Sequence, residues 1–218
     1  MAINRAHPRW QEINTLTYIK QPARVNILAC GDVGSTILLG LKLLAGASIS
    51  SIGIFDINND LSRRCEFELN QIAAINNDMV LPEIEIIDKT ELFNCDIFVF
   101  CATAGVPDLA NKNDVRLLQY ERNAKIIKEY AQTARVQQFK GIFAVVSDPV
   151  DLLCQTVFIE SNKDSAGNFD AKGLLAEQIE GFGLGVMHAR AAYYAKKEPR
   201  FFSYLSEGRA YGPHGNGL

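Results

Sequence analysis

The chain has 218 residues, 48% apolar and 22% charged, an ordinary balance for a soluble globular protein with one full core or one domain plus part of another. Its net charge of −3 provides no basic stripe to meet phosphates, which argues against a nucleic-acid partner. The longest apolar run, near Ile97 to Val106, is too short to span a bilayer, and no signal-peptide stretch opens the sequence, so a cytoplasmic protein without a membrane role is expected.

Residues 1–23 read as a polar arm anchored by Trp10 and Tyr18, with His7 a solvated loop residue beside Pro8. The stretch from Val25 to Asp56 organises the rest of the chain. A short apolar strand (Val25 to Leu28) meets Gly31-Asp32-Val33-Gly34, a helix runs from Ser35 to Ala45, and a second strand, Ile52 to Phe55, ends on Asp56. Strand, glycine turn, helix, strand and acid make the layout of a dinucleotide-binding βαβ unit. Gly31 lets the backbone approach a pyrophosphate, Gly34 lets the helix pack on the strand, and the helix N-terminus offers N–H groups to the phosphates. Asp56 can accept from both ribose hydroxyls and would repel a 2′-phosphate, which favours NAD over NADP. The first glycine position of the fingerprint holds Ala29.

Further along, apolar spacing predicts a helix over Leu61 to Ile75 and a strand over Ile84 to Ile87. A buried strand, beginning after Asp96, runs into the turn Ala102 to Val106. Asp114 can cap a long helix from Val115 to Arg135. The strand Ile142 to Val146 leads into Ser147-Asp148-Pro149, and a helix should begin near Asp151. Five strands separated by helices predict a doubly wound parallel sheet, a Rossmann-like domain spanning 24–161 whose strand ends carry the ligand. The polar segment Asn162 to Lys172 reads as the exit into a partial α+β catalytic domain spanning 162–218. The five cysteines (Cys30, Cys65, Cys95, Cys101, Cys154) form no Cys-x-x-Cys pair and no metal-ligand spacing. They suit reduced thiols, and no metal is expected.

Together these pieces resemble the lactate/malate dehydrogenase family from about residue 24 onward. CATAGVP (101–107) resembles the family's turn after the fourth strand, and VVSDPVDLL (145–153) its segment after the fifth. GFGLGVMHARAAYYA (181–195) resembles the helix with the substrate-clamping arginine, and AYGPHGNGL (210–218) the segment with the catalytic histidine. The 24 positions between Arg190 and His214 match the family interval.

The resemblance implies that His214 donates and accepts the proton, that Arg190 clamps the substrate carboxylate, and that Arg116 polarises the substrate carbonyl. It implies a cofactor site of Gly31, Asp32, Val33, Gly34, Asp56, Ala102, Gly105 and Ser147, hydride exchange between NAD and a 2-hydroxy or 2-oxo acid, and a homo-oligomer. The family continues well past its histidine, so a chain of this length is expected to carry only part of the catalytic half and to turn over weakly by itself. Three departures stand out. Met187 occupies the place of the carboxylate that partners the histidine. Asp148 replaces an asparagine and could serve as the anion for protonated His214. Asp108 stands about where the mobile loop discriminates substrates, and an anion there favours a lactate-like monocarboxylate over malate. The alternative is a non-catalytic NAD-binding module with a degenerate site.

Overall fold

A computed structural model describes residues 8–9, 11–12, 21–76, 78–105 and 115–214. His7, Trp10, Tyr18, Asp108 and Asp114 lie outside them. Six strands, β1 (Ala23–Leu28), β2 (Ile49–Phe55), β3 (Glu83–Ile86), β4 (Ile97–Phe100), β5 (Ile142–Val145) and β6 (Ile179–Gly181), form one sheet. Every pairing is parallel, and the order is β3-β2-β1-β4-β5-β6. The order reverses between β1 and β4, the switch point at which open α/β sheets bind ligands.

Both faces of the strands are apolar, as a sheet covered on both sides requires. Ile27, Ile52, Ile54 and Val99 pack with Leu38 of α1 (Asp32–Leu44) and Cys65 of α2 (Asn59–Asn70). Phe98, Phe100, Phe143 and Val145 point the other way, onto Ile127 and Tyr130 of α3 (Val115–Val136) and Leu153 and Val157 of α4 (Val150–Ser161). Phe98 and Phe143 meet edge-on at 4.8 Å, a favourable arrangement for two ring quadrupoles. Beyond β6 lie α5 (Leu184–Ala195) and the single turn α6 (Tyr204–Glu207).

Two expectations change. The helix expected to reach Ile75 stops at Asn70, because the Asn70 side chain turns to the edge strand: it accepts from Ile84 N at 3.1 Å and donates to Ile84 O at 2.8 Å. Ile75 is 91% exposed and buries nothing. The sheet also has six strands rather than five. β6 lies past the expected exit at 162–172 and holds an exposed Glu180 in its three residues, so no apolar run marks it. Among the described residues no helix is long and apolar enough to cross a membrane.

Candidate active site

The glycine turn leaves β1 through Ala29, whose φ of +74° lies in the left-handed region that favours glycine. Gly34 is required by close approach: a Cβ there would stand 1.9 Å from the Ala29 carbonyl oxygen. Above Gly31 there is open space, and no side chain caps α1. The first N–H groups of that helix therefore remain available to an anion.

Asp56, at the end of β2 and nearly buried, accepts from Cys30 N at 2.7 Å through Oδ2 and from Asn58 N at 2.8 Å through Oδ1. A carboxylate oxygen can accept two hydrogen bonds, so each retains capacity for a ribose hydroxyl. An uncapped helix end, a clear approach over Gly31 and an acid at the second strand's end suit a dinucleotide with unphosphorylated ribose. Burial pushes the Cys30 thiol up to about 12, with Cys65 and Asp56 adding to it, so Cys30 is no nucleophile at neutral pH.

The turns after β4 and β5 are braced together. Asn123 of α3, fully buried, accepts from Ala104 N at 2.8 Å and donates to the Asp148 carbonyl at 2.8 Å. Ser147 donates its hydroxyl to the Ala102 carbonyl at 2.8 Å. Gly105 follows at φ +85°, again in the left-handed region. Ser147 thus ties the turn beside the switch point to the turn after the next strand.

Arg116 from the first turn of α3, Asp148 from the turn after β5, Arg190 from α5 and His214 line one cavity of about 570 Å³, with Met187 and Val33 among its walls. Met187 and Arg190 are one helical turn apart and share a face of α5. The His214 peptide is held on both sides: its N–H donates to Asp151 Oδ2 at 2.7 Å, and its carbonyl accepts from Arg116 Nη2 at 2.9 Å. Its Nε2 stands 3.3 Å from Asp148 Oδ1, while Nδ1 is buried with no partner among the described residues. The ring lies against Gly183, where a Cβ would come within 2.5 Å of its Cγ.

Of the expected site residues, only Asp108 falls outside the described residues. His188 is not part of the cavity; its Nδ1 lies 3.2 Å from the Tyr204 hydroxyl. Sequence reasoning missed Asp151, Asn123 and Gly183 as site-building residues. The glycines ahead of α5 were a visible signal for the last; the other two act through contacts across 63 and 25 positions that no local pattern announces. Among the described residues no cluster of His, Cys, Asp and Glu is placed to hold a metal ion.

This fold and turn define a dinucleotide-binding protein with an adjoining polar cavity. Residues 23–170 match the model of the lactate/malate dehydrogenase NAD-binding domain. The chain is 28% identical over 195 residues to the L-lactate dehydrogenase of Treponema denticola, which covers 88% of this chain and 55% of that one. It is 28% identical over 158 residues to the malate dehydrogenase of Sulfurimonas denitrificans, covering 72% and 47%. A solved lactate dehydrogenase from a Medee basin deep-sea metagenome library superposes with a TM-score of 0.64 at 22% identity, over 83% of this chain and 52% of that one. The chain belongs to the lactate/malate dehydrogenase family and carries its NAD-binding domain. It spans about half the length of the curated relatives it matches.

Proposed function

We propose that this protein is an NAD-dependent oxidoreductase that interconverts a 2-hydroxy acid and a 2-oxo acid. The observation that carries this reading is the convergence of Arg116, Asp148, Arg190 and His214, from four separate parts of the chain, on one cavity beside the glycine turn. NAD, when bound, accepts or supplies the hydride. The residues proposed to hold it are Gly31, Asp32, Val33 and Gly34 at the phosphates, Asp56 at the ribose, and Ala102, Gly105 and Ser147 along the neighbouring turns.

Arg190 is exposed on the cavity wall, and its planar fork matches the two oxygens of a carboxylate. His214 takes the hydroxyl proton in oxidation and returns it to the carbonyl oxygen in reduction. Arg116 places one N–H on the His214 carbonyl, and another donor of its guanidinium fork is assigned to the substrate carbonyl. The substrate preferred is a lactate-like monocarboxylate. Asp148 lines the cavity, so a second substrate carboxylate would meet negative charge there, and the family resemblance assigns the same effect to Asp108. Free thiols at all five cysteines suit a reducing, cytoplasmic setting, and self-association is proposed by analogy with the family.

The test is reduction of 2-oxo acids followed by loss of NADH absorbance. Pyruvate-like substrates should react faster than oxaloacetate, and His214→Ala should abolish turnover while NADH still binds. Turnover that survives His214→Ala would rule out the assigned proton donor. Faster reaction with oxaloacetate would rule out the monocarboxylate preference. One observation favours a second reading, a non-catalytic NAD-binding module: Met187 lines the cavity, and among the described residues no acid supports Nδ1 of His214. NADH binding without oxidation by any 2-oxo acid would select it.

A further inference from the structure

The two imidazole nitrogens of His214 are in opposite situations. Nδ1 is buried against Gly183, where an added Cβ would stand 2.9 Å from it, and no substrate atom can reach it. Nε2 faces the cavity, and the group on it is the Asp148 carboxylate at 3.3 Å. A substrate that exchanges a proton with this histidine must do so at Nε2. Asp148 and the substrate oxygen therefore need the same position.

The histidine is not the member of the pair that moves. Asp151 and Arg116 hold its peptide from opposite sides, at 2.7 and 2.9 Å, and its side chain is only 18% exposed. Asp148 is anchored through its backbone carbonyl, which accepts from Asn123, but its side chain is 48% exposed and bonded to nothing firmer than the imidazole among the described residues. It can rotate into solvent without disturbing the brace beneath it. The charged groups converging here are Asp148 from the turn after β5, Asp151 from α4, Arg116 from α3 and Arg190 from α5. Asp148 is the one whose side chain lies on the ring itself.

We propose that Asp148 is a latch on the proton-transfer site: it occupies the accessible nitrogen of His214 in the resting protein, and a 2-oxo acid binds by displacing it. This rests on the dehydrogenase reading for the identity of the displacing ligand. It differs from a supporting role, in which a carboxylate holds the imidazole from the side away from substrate. On that side Nδ1 has no hydrogen-bond partner among the described residues, and Met187 stands in the wall of the same cavity. The latch also selects against anionic ligands generally, because the carboxylate held by Arg190 must enter while Asp148 is still charged.

Two measurements on the full chain test it. Without any ligand, the ring ¹⁵N resonances of His214 should differ between the wild type and Asp148→Asn; identical resonances would overturn the latch. With NADH present, oxamate, an unreactive amide analogue of a 2-oxo acid, is titrated against NADH fluorescence. Asp148→Asn and Asp148→Ala should both bind oxamate about three- to tenfold more tightly, the range expected from removing a half-exposed carboxylate contact and a like charge. Unchanged or weaker binding in both variants would overturn the proposal and mark Asp148 as a support for the ring. Tighter oxamate binding with no reduction of any 2-oxo acid would leave the latch intact and count against the dehydrogenase reading alone.

Discussion

Asp151, in the first turn of α4, accepts the backbone N–H of His214 at 2.7 Å and so fixes where the proposed proton donor stands. The bond joins the sheet domain to a segment 63 positions further along. Asp151→Ala removes a charge-assisted hydrogen bond worth about 1.5–3 kcal/mol. It also removes an acid from a helix N-terminus, where negative charge is favourable. Melting should fall by about 3–12 °C, with NADH affinity retained and oxamate affinity lost. Asp151→Asn keeps an acceptor oxygen and should recover most of both. A melting curve unchanged in Asp151→Ala would show that His214 is held by other contacts.

Ala29 carries the backbone of a glycine. Its φ of +74° costs an L-residue about 1–2 kcal/mol, against about 0.5–1 kcal/mol of extra chain entropy that glycine loses on folding. Ala29→Gly should therefore stabilise the protein by about 0.5–1 kcal/mol and leave the turn's path unchanged. Chemical denaturation would read this as a higher midpoint at constant slope. A lower midpoint would mean that the Ala29 methyl group packs more favourably than its backbone strains.

Strong acid should weaken the brace between α3 and the segment after α4. Arg135 at the end of α3 grips Asp170 with two parallel hydrogen bonds of 2.7 Å. The guanidinium holds the Asp170 carboxyl down to about 2, below its ordinary 3.8. An acid whose folded pKa is depressed contributes stability that is fully present above the ordinary value and lost as pH falls through the folded one. The contribution is thus present above about pH 4 and disappears toward pH 2. Melting temperatures across that interval should fall more steeply for the wild type than for Asp170→Asn. Parallel curves would show that the pair contributes nothing measurable.

Local pattern made most of the nucleotide unit legible. β4 and β5 are short, continuously apolar runs, β1 and β2 are apolar at most positions, and α3 spans Val115–Val136 where the spacing expected Val115 to Arg135. Hydrophobic pattern fails where polar contacts or exposure decide. Asn70 ends α2 because its amide serves β3, which helical spacing cannot express. β6 is held by register with β5 and not by its own composition. The four cavity residues could be named from the family resemblance, since motifs preserve order and interval. The side of the imidazole on which Asp148 sits could not, because that depends on the Gly183 contact and on the two bonds to the His214 peptide.

Asp56 performs two tasks that one substitution should separate. A ribose acid favours NAD by accepting from the 2′-hydroxyl, and its charge would repel a 2′-phosphate. Here the same carboxylate also accepts from Cys30 in the glycine turn and from Asn58 at the start of α2, at 2.7 and 2.8 Å. Asp56→Ala removes both bonds along with the charge. Losing one charge-assisted bond to the ribose, worth about 1.5–3 kcal/mol, corresponds to NADH binding weaker by about 10- to 150-fold. NADPH should gain nothing, because a turn released from Asp56 no longer presents its N–H groups to either cofactor. Asp56→Asn retains one acceptor oxygen and should fall between the two in NADH affinity. Fluorescence titration with both cofactors decides the matter. If Asp56→Ala bound NADPH as tightly as the wild type binds NADH, the acid would be acting by charge alone, and the glycine turn would keep its shape without the Cys30 bond.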